Sequence, residues 1–453
     1  MSGLKTLILA AGEGSRMKSK LPKVLHKIMG ITMVEHVIDA AKNAGSDEVA
    51  VVVGFKGDEV KEALKDRELK YYLQKEQLGT GHAVMCADAF LDDNKDVLIL
   101  YGDTPLLTAD TLKKLLDFHK EENNGVTIIS AIVDDPAGYG HIVRDEKGAF
   151  VKNVEHKDAT DEEKLVKEIN TGVYVFKGSS LKKALKKLNN NNAQGEYYLP
   201  DTLEILLKDG EGVNAMAVND VSEFYGVNSR VQLAEASEIM KKRINRYYME
   251  NGVTICDPLN TYIAPSVKIG MDTVIYPGTV LEGNTVIGDD CKIGPYTKLV
   301  DVSVDDGAEI KFTSATEAYV GKKTTVGPYA YIRPDSKIGD NVKIGDFVEV
   351  KNSVIGNGTK VSHLTYIGDS DVGERINFGC GTVTVNYDGK KKFRTTIEDD
   401  AFIGCNTNLI APVTVGKGSY IAAGSTITKD IPEDELAVAR ARQQNIKGWK
   451  KSK

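Results

Sequence analysis

The hydrophobic period of this chain changes once, near residue 250 of 453. Before that point, short aliphatic runs alternate with stretches of helical spacing. "EVAVVVGF" (48–55) and "DVLILYGD" (96–103) are continuous apolar runs closed by turn residues, the pattern of parallel strands buried on both faces. "MVEHVIDAAKNAG" (33–45) and "TADTLKKLLDFHKEEN" (108–123) read as helices, the second with Thr108 at its cap. Such alternation predicts a doubly wound α/β domain over residues 1–228. Residues 229–251, "SRVQLAEASEIMKKRINRYYMEN", contain neither Pro nor Gly. Ser229 can start a helix there and Gly252 can stop it, so a linker helix is expected.

From 252 onward the period becomes six. Ile263, Ile269, Ile275, Leu281, Ile287, Ile293 and Leu299 form one series, and Val320, Val326, Ile332, Ile338, Ile344 and Val350 form another. After a slip it continues at Ile355, Val361 and Ile367, and again from Ile403 to Ile427, often with Gly after the aliphatic. Neither a helix nor a simple strand repeats every six residues. A parallel β-helix does, with one inward aliphatic per flat face. Residues 252–453 are therefore expected to form a solenoid. Its edge needs a cover and its flat faces favour self-association, so an oligomer is expected.

Composition narrows the function classes. A net charge of −7 and a pI near 5.7 argue against a general nucleic-acid or membrane-surface role. An anionic ligand must then be held by local cations. No apolar run has membrane-spanning length, and the N-terminus lacks a basic-then-apolar leader. The five cysteines are scattered and never form C-x-x-C, which points to reduced thiols in a cytoplasmic protein without structural zinc.

Candidate chemistry starts in "LILAAGEGSRM" (7–17). A strand running into G-x-G offers backbone N–H groups to an anion. A dinucleotide fingerprint fails because Met17 stands where the third glycine belongs, and no G-K-[ST] follows for a P-loop. Arg16 adds a planar cation that suits a triphosphate, and Lys23 in "LPKVL" brings a second. A surface turn with two solvated cations is the alternative reading.

"LAAGEGSRM" with "LPK" resembles the sugar-1-phosphate nucleotidyltransferases, whose pattern is close to L-A-A-G-x-G-T-R-M; Ser15 replaces the usual Thr. Joined to a hexapeptide β-helix, almost the whole chain is similar to the bifunctional N-acetylglucosamine-1-phosphate uridyltransferase/glucosamine-1-phosphate acetyltransferase family. The resemblance implies an N-terminal Rossmann-like nucleotidyltransferase domain, a linker helix and a C-terminal left-handed parallel β-helix. It implies a bacterial cytoplasmic homotrimer acting on small molecules, with no nucleic acid and no membrane. It also implies acetylation of glucosamine 1-phosphate by acetyl-CoA, then transfer of UMP from UTP with release of pyrophosphate.

Asp103 ends a strand, where ligands of doubly wound sheets gather, and is the expected Mg²⁺ ligand, although Asp also initiates turns such as "GDTP". The resemblance supplies Asn228 in "FYGVNSR" to complete the metal site. It implies UDP-N-acetylglucosamine contacts at Leu9, Ala10, Ala11, Gly12 and Lys23. Gln74, Gly79 and Thr80 in "QKEQLGTGHA" are implied to read the uracil, Gln74 having the donor and acceptor that an imide edge requires. Gly140, Glu155 and Asn170 match the sugar contacts. Arg16 and Lys23 would stabilise charge beside Mg²⁺, with no covalent intermediate.

In the solenoid, Arg333 and Lys351 lie 18 residues apart, one coil of three hexapeptides, and should stack to grip one phosphate. A surface charge pair is the plainer alternative. His363 in "SHLTYIG" is the candidate general base for an attacking amine, and on the residues alone a structural histidine competes with that role. "HLTY" matches the family motif. Tyr366 and Asn377 match its sugar contacts, and Cys380, Asn386, Tyr387, Cys405, Ala423 and Arg440 match its acetyl-CoA contacts. Cys380 and Cys405 stand where Ala and Ser are expected, so a nucleophilic cysteine is a rival idea. "KKKFR" (390–394) interrupts the repeat, either reaching CoA phosphates on a neighbouring subunit or lying as a solvated turn. Two further rivals are a uridyltransferase for another sugar with a non-catalytic β-helix, and an inactive regulatory subunit.

Overall fold

The computed structural model describes residues 3–447 and Trp449. It comprises two compact units, Met1–Met240 and Lys241–Lys453. In the first, the strand Leu4–Ala10 is buried along its whole length and runs parallel to Glu48–Val53 on one side and Asp96–Tyr101 on the other. Lys70–Leu73 extends the sheet beyond Glu48–Val53. Beyond Asp96–Tyr101 come Glu168–Lys177, Val126–Ile132 and Val213–Val218. Glu168–Lys177 is antiparallel to both its neighbours. The sheet is therefore mixed, not all parallel, and the hairpin His141–Arg144/Phe150–Val154 branches from that reversed strand.

The expected helices form as Met33–Asn43 and Ala109–Glu121. Thr108 accepts from Thr111 N–H at the second, and Thr32 with Glu35 forms a capping box at the first. Aliphatic side chains fill two layers, one on each face of the sheet. The strand ends and their loops, which carry no such packing duty, are left to build a site.

The long helix spans Arg230–Glu250. Ser229 Oγ accepts from Gln232 N–H at its start. At its end Gly252 takes φ +89°, and Val253 N–H donates back to Tyr248 O, a Schellman stop. The last turns of the helix cover the first coil of the solenoid. Asn245 Nδ2 donates to Pro258 O at 2.9 Å, and the Tyr248 hydroxyl donates to Val267 O.

The second unit is a parallel β-helix of hexapeptide repeats. Among the described residues its three sheets have eleven, ten and nine strands, successive partners lying three strands apart along the chain except at the end of the first, where Tyr420–Ile421 pairs with Leu436–Ala437. Ile275, Leu281, Ile287 and Ile293 are fully or almost fully buried, as the sixfold period requires. Three residues after the inward aliphatic the backbone turns left-handed, as at Asp272, Asp290, Lys323 and Asn341. The next residue is small and buried, often Thr, and Thr279 Oγ1 donates to Tyr276 O at 2.7 Å to satisfy itself.

The breaks in the sixfold series have a simple cause. Some coils are shorter: Lys292 pairs with Glu309 and Glu309 with Thr325, so Val304, Ile310 and Ala315 carry the core between Leu299 and Val320. Lys343 pairs with Lys360, which produces the slip after Val350. Phe378 pairs with Ile403, and the surplus residues leave the coil as the loop that carries "KKKFR".

Candidate active sites

The first candidate site opens where Leu4–Ala10 ends. A cavity of about 240 Å³ is lined by Leu9, Ala10, Ala11, Gly12, Lys23, Gln74, Gly79, Thr80 and Asp103, all expected ligand contacts. A Cβ added to Gly12 would meet no atom within 4 Å, so packing does not require glycine there; the open space suits a ligand approaching the backbone. Gly14 does have a packing reason. It sits at φ +69°, and a Cβ would come within 2.6 Å of Lys23 Cβ. The second glycine thus admits the Lys23 stem.

The Lys23 ammonium donates to Asp103 Oδ2 at 2.5 Å and to Asn228 Oδ1 at 3.0 Å. The lysine and aspartate side chains are only 14% and 19% exposed. Val227 N–H donates to Asp103 O, which ties the two oxygen-bearing segments together. Arg16 differs from the rest. It lies exposed on the turn Ser15–Met17 and is not among the cavity-lining residues.

Tyr101, which lines the same cavity, was missed by the sequence reading. Burial holds its phenol far above the usual range, and Thr80 hydrogen-bonds to it. A Cβ on Gly172 would fall 2.5 Å from its ring. Near it the expected sugar contacts converge. Asn170 N–H donates to Gly140 O at 2.8 Å, and a Cβ on Gly140 would lie 3.0 Å from Glu155 Oε1. Asn170 Nδ2 donates to Asn153 Oδ1 and to the Tyr174 hydroxyl. Burial pushes the Glu155 carboxyl upward.

The second candidate site lies on the solenoid. Ile332 pairs with Val350, and Arg333 N–H donates to Val350 O, so Arg333 and Lys351 stack one coil apart. They line a cavity of about 500 Å³ together with Asp369, Lys392 and Arg394. The inserted loop therefore turns back on its own chain. Asp388 accepts from Lys390 and Lys391 N–H, Phe393 N–H donates to Asn386 O, and Arg394 pairs with Asp371. The Lys392 amine beside Lys351, with burial and Arg333, pulls Lys351 below the usual lysine range. The sequence marks this loop as a break in the repeat but assigns no role to Lys392. Arg333 pairs with Glu349 and Arg394 with Asp371, so the crowding falls on Lys351 and Lys392, and an anionic ligand would relieve those two amines.

His363 pairs in register with Asp346, and its Nδ1 lies 2.6 Å from Asp346 Oδ1. A carboxylate only accepts, so Nδ1 carries a proton, and in the neutral ring Nε2 keeps its lone pair. The side chain is 56% exposed, open to a reactant. Asp346 is held below the usual carboxylate range by that hydrogen bond. It too was missed, because the coil here has seventeen residues and hexapeptide counting overshoots it by one.

Register also orders the expected acetyl-CoA contacts. Val361, Phe378, Ile403 and Ile421 pair in succession on neighbouring coils. Two residues beyond each stand His363, Cys380, Cys405 and Ala423, so all four form one column rising about 4.8 Å per coil. Arg440 Nη1 donates to Ala423 O at 2.8 Å. Asn386 Nδ2 reaches Asp369 and the Tyr366 hydroxyl, so it joins the cationic cavity to Tyr366. Asn377 pairs with Lys360 on the sheet that carries His363, and Tyr387 is exposed at the base of the loop.

Residues 5–223 match the nucleotidyl transferase family model, and 266–301, 317–352 and 394–429 match the bacterial transferase hexapeptide (six repeats) model. Relatives named bifunctional protein GlmU match along nearly the whole length. The one from Clostridium novyi is 56% identical, covering 98% of this chain and 97% of its own. That from Thermoanaerobacter pseudethanolicus is 55% identical over 99% and 98%. That from Halalkalibacterium halodurans is 54% identical over 98% of each.

Proposed function

The chain belongs to the family of bifunctional GlmU proteins, and from that premise we propose how its residues divide two reactions. It is a bifunctional transferase of UDP-N-acetylglucosamine synthesis. It acetylates glucosamine 1-phosphate with acetyl-CoA, and it transfers UMP from UTP to N-acetylglucosamine 1-phosphate, releasing pyrophosphate. We assign uridyl transfer to residues 1–228 and acetyl transfer to 252–453, joined by the helix of 229–251.

In the acetyl reaction, Arg333, Lys351 and Lys392 hold the sugar phosphate. The amine attacks the thioester carbonyl, His363 Nε2 takes the amine proton, and CoA thiolate leaves. Asp346 keeps the imidazole in the tautomer that leaves Nε2 free. Acetyl-CoA lies along the column of Cys380, Cys405 and Ala423. The observation that carries this half is that column, which sets an expected donor track directly above His363.

In the uridyl reaction, a phosphate oxygen of the sugar attacks the α-phosphorus and pyrophosphate leaves. The residues at the Lys23 ammonium fit Mg²⁺: a carboxylate and an amide oxygen aimed at one point form a hard donor set, and this cation prefers a few such oxygens plus waters. When bound, Mg²⁺ supplies charge neutralisation at the α-phosphate. Asp103 and Asn228 would hold it, Lys23 would be freed to bind a phosphate oxygen, and the Gly12 backbone would admit the triphosphate. Gly140, Glu155 and Asn170 take the sugar. Acetylation comes first, because the uridylated product no longer has the phosphate monoester that the cationic cavity grips.

A cytoplasmic homotrimer is the assembly we propose. Tyr296, Phe312, Tyr329 and Phe347 support self-association, since they stack on successive coils as a largely exposed ladder. Five free cysteines suit a reducing compartment. The test combines glucosamine 1-phosphate, acetyl-CoA, UTP and Mg²⁺ with the purified chain. UDP-N-acetylglucosamine should form, and omitting any one component should stop it; UDP-glucosamine formed when acetyl-CoA is omitted would refute the assigned order.

A further inference from the structure

The strand Lys70–Leu73 delivers Gln74 to the nucleotide cavity, where it is 4% exposed. Its Nε2 lies 3.1 Å from Gly79 O and 3.2 Å from His82 Nδ1. A backbone carbonyl only accepts, so the end of the amide facing Gly79 is its NH₂ group. An amide nitrogen offers no lone pair, so His82 Nδ1 must accept the second N–H and carries no proton itself. The imidazole proton is then on Nε2, which faces the Cys86 sulfur at 3.8 Å. Burial raises the Cys86 thiol, which keeps that sulfur neutral beside the ring. Both Gln74 donors are thus engaged inside the protein, and Oε1 alone is left for a ligand.

We propose that His82 is a specificity-determining positioning residue, which locks the Gln74 amide so that the cavity offers the nucleobase an acceptor only. Such a site welcomes the ring N–H of uracil and repels the ring-nitrogen lone pair of cytosine. The proposal rests on the uridyltransferase reading of this cavity. It also changes the role of Gln74, whose paired donor and acceptor do not both reach the base. With Gly79 alone the amide can rock about one hydrogen bond; the bond to His82 fixes its plane.

The test measures kcat/KM for UTP and for CTP, with N-acetylglucosamine 1-phosphate and the full chain. His82→Leu keeps an apolar side chain but removes the acceptor. The UTP-over-CTP preference should fall about ten-fold, mainly through KM for UTP. His82→Asn restores an acceptor close to the Nδ1 position and should recover most of the preference. An unchanged ratio in His82→Leu, or equal losses with both nucleotides, would overturn the proposal. Failure of the unsubstituted chain to use UTP would instead refute the uridyltransferase assignment. Should His82→Leu not fold, the tautomer decides. In the unsubstituted chain with ¹⁵N-labelled histidine, a protonated Nε2 and a bare Nδ1 support the lock, and a protonated Nδ1 sinks it.

Discussion

The two units build their proposed anion-binding sites by opposite means. In the first, Lys23 meets Asp103 and Asn228 across 80 and 205 residues of sequence, and each arrives on a separate loop. In the second, Arg333, Lys351 and the column from His363 to Ala423 meet because register repeats every coil. The first site is sunk beyond the carboxyl ends of interior strands, while the second lies on an open face with a half-exposed imidazole. A loop-built site can be closed and tuned by burial, whereas a register-built site takes its geometry from spacing and its closure from something added. Here the addition is the inserted loop that brings Lys392 to Lys351.

If the units work independently, one substitution should separate the activities completely. His363→Ala should lower kcat for acetyl transfer by about 10²–10⁴-fold and leave uridyl transfer within about two-fold. Asp103→Ala should do the reverse, with a loss of about 10²–10³-fold in uridyl transfer. Separate assays with glucosamine 1-phosphate plus acetyl-CoA, and with N-acetylglucosamine 1-phosphate plus UTP, read both. A parallel fall in the two activities would break the comparison.

Legibility follows the same division. Sixfold spacing alone showed the solenoid, its inward residues and the stacking of Arg333 on Lys351, because a repeating coil turns sequence distance into spatial distance. It missed Asp346, since a coil of seventeen residues moves the His363 partner off the hexapeptide count. It left Lys392 unassigned, since an insertion obeys no period. In the first unit the apolar runs showed strands and helices but not the reversed strand Glu168–Lys177, because a buried run reads alike in either direction. Nothing in the spacing of Lys23, Asp103 and Asn228 brings them together; a family resemblance did that. Tyr101 lines the cavity and His82 touches Gln74, contacts that only coordinates show.

The inserted loop gives a sharper test. Lys392→Ala should raise KM for glucosamine 1-phosphate about ten-fold with little change in kcat, as Lys351→Ala should, because both grip a phosphate that does not react. An unchanged KM in Lys392→Ala would return the loop to the status of a solvated turn. Asp346→Ala should show the opposite split. It acts on the imidazole, so kcat should fall about ten-fold while KM for the sugar phosphate holds.

The smallest effect concerns stability, and it separates the closed site from the open one. Behind the sugar contacts, Asp201 is pushed up to about 6 by burial, with Glu204, Glu155 and Asp158 adding like charge. An unfolded Asp ionises near 4, so between about pH 4 and 6 the unfolded chain gives up its proton while the folded one keeps it. Ionised Asp201 therefore costs stability above pH 6, and the cost vanishes as pH falls toward 4. Asp201→Asn should stabilise the first unit at pH 7–8 by about 1 kcal/mol, a figure reduced for the partial exposure of the group. Heating the full chain and assaying residual uridyl transfer checks this. Protection should appear at pH 7.5 and shrink at pH 5, while residual acetyl transfer, which depends on a unit without this acidic pocket, should not change. Equal protection at both pH values would mean that Asp201 is not a buried charge.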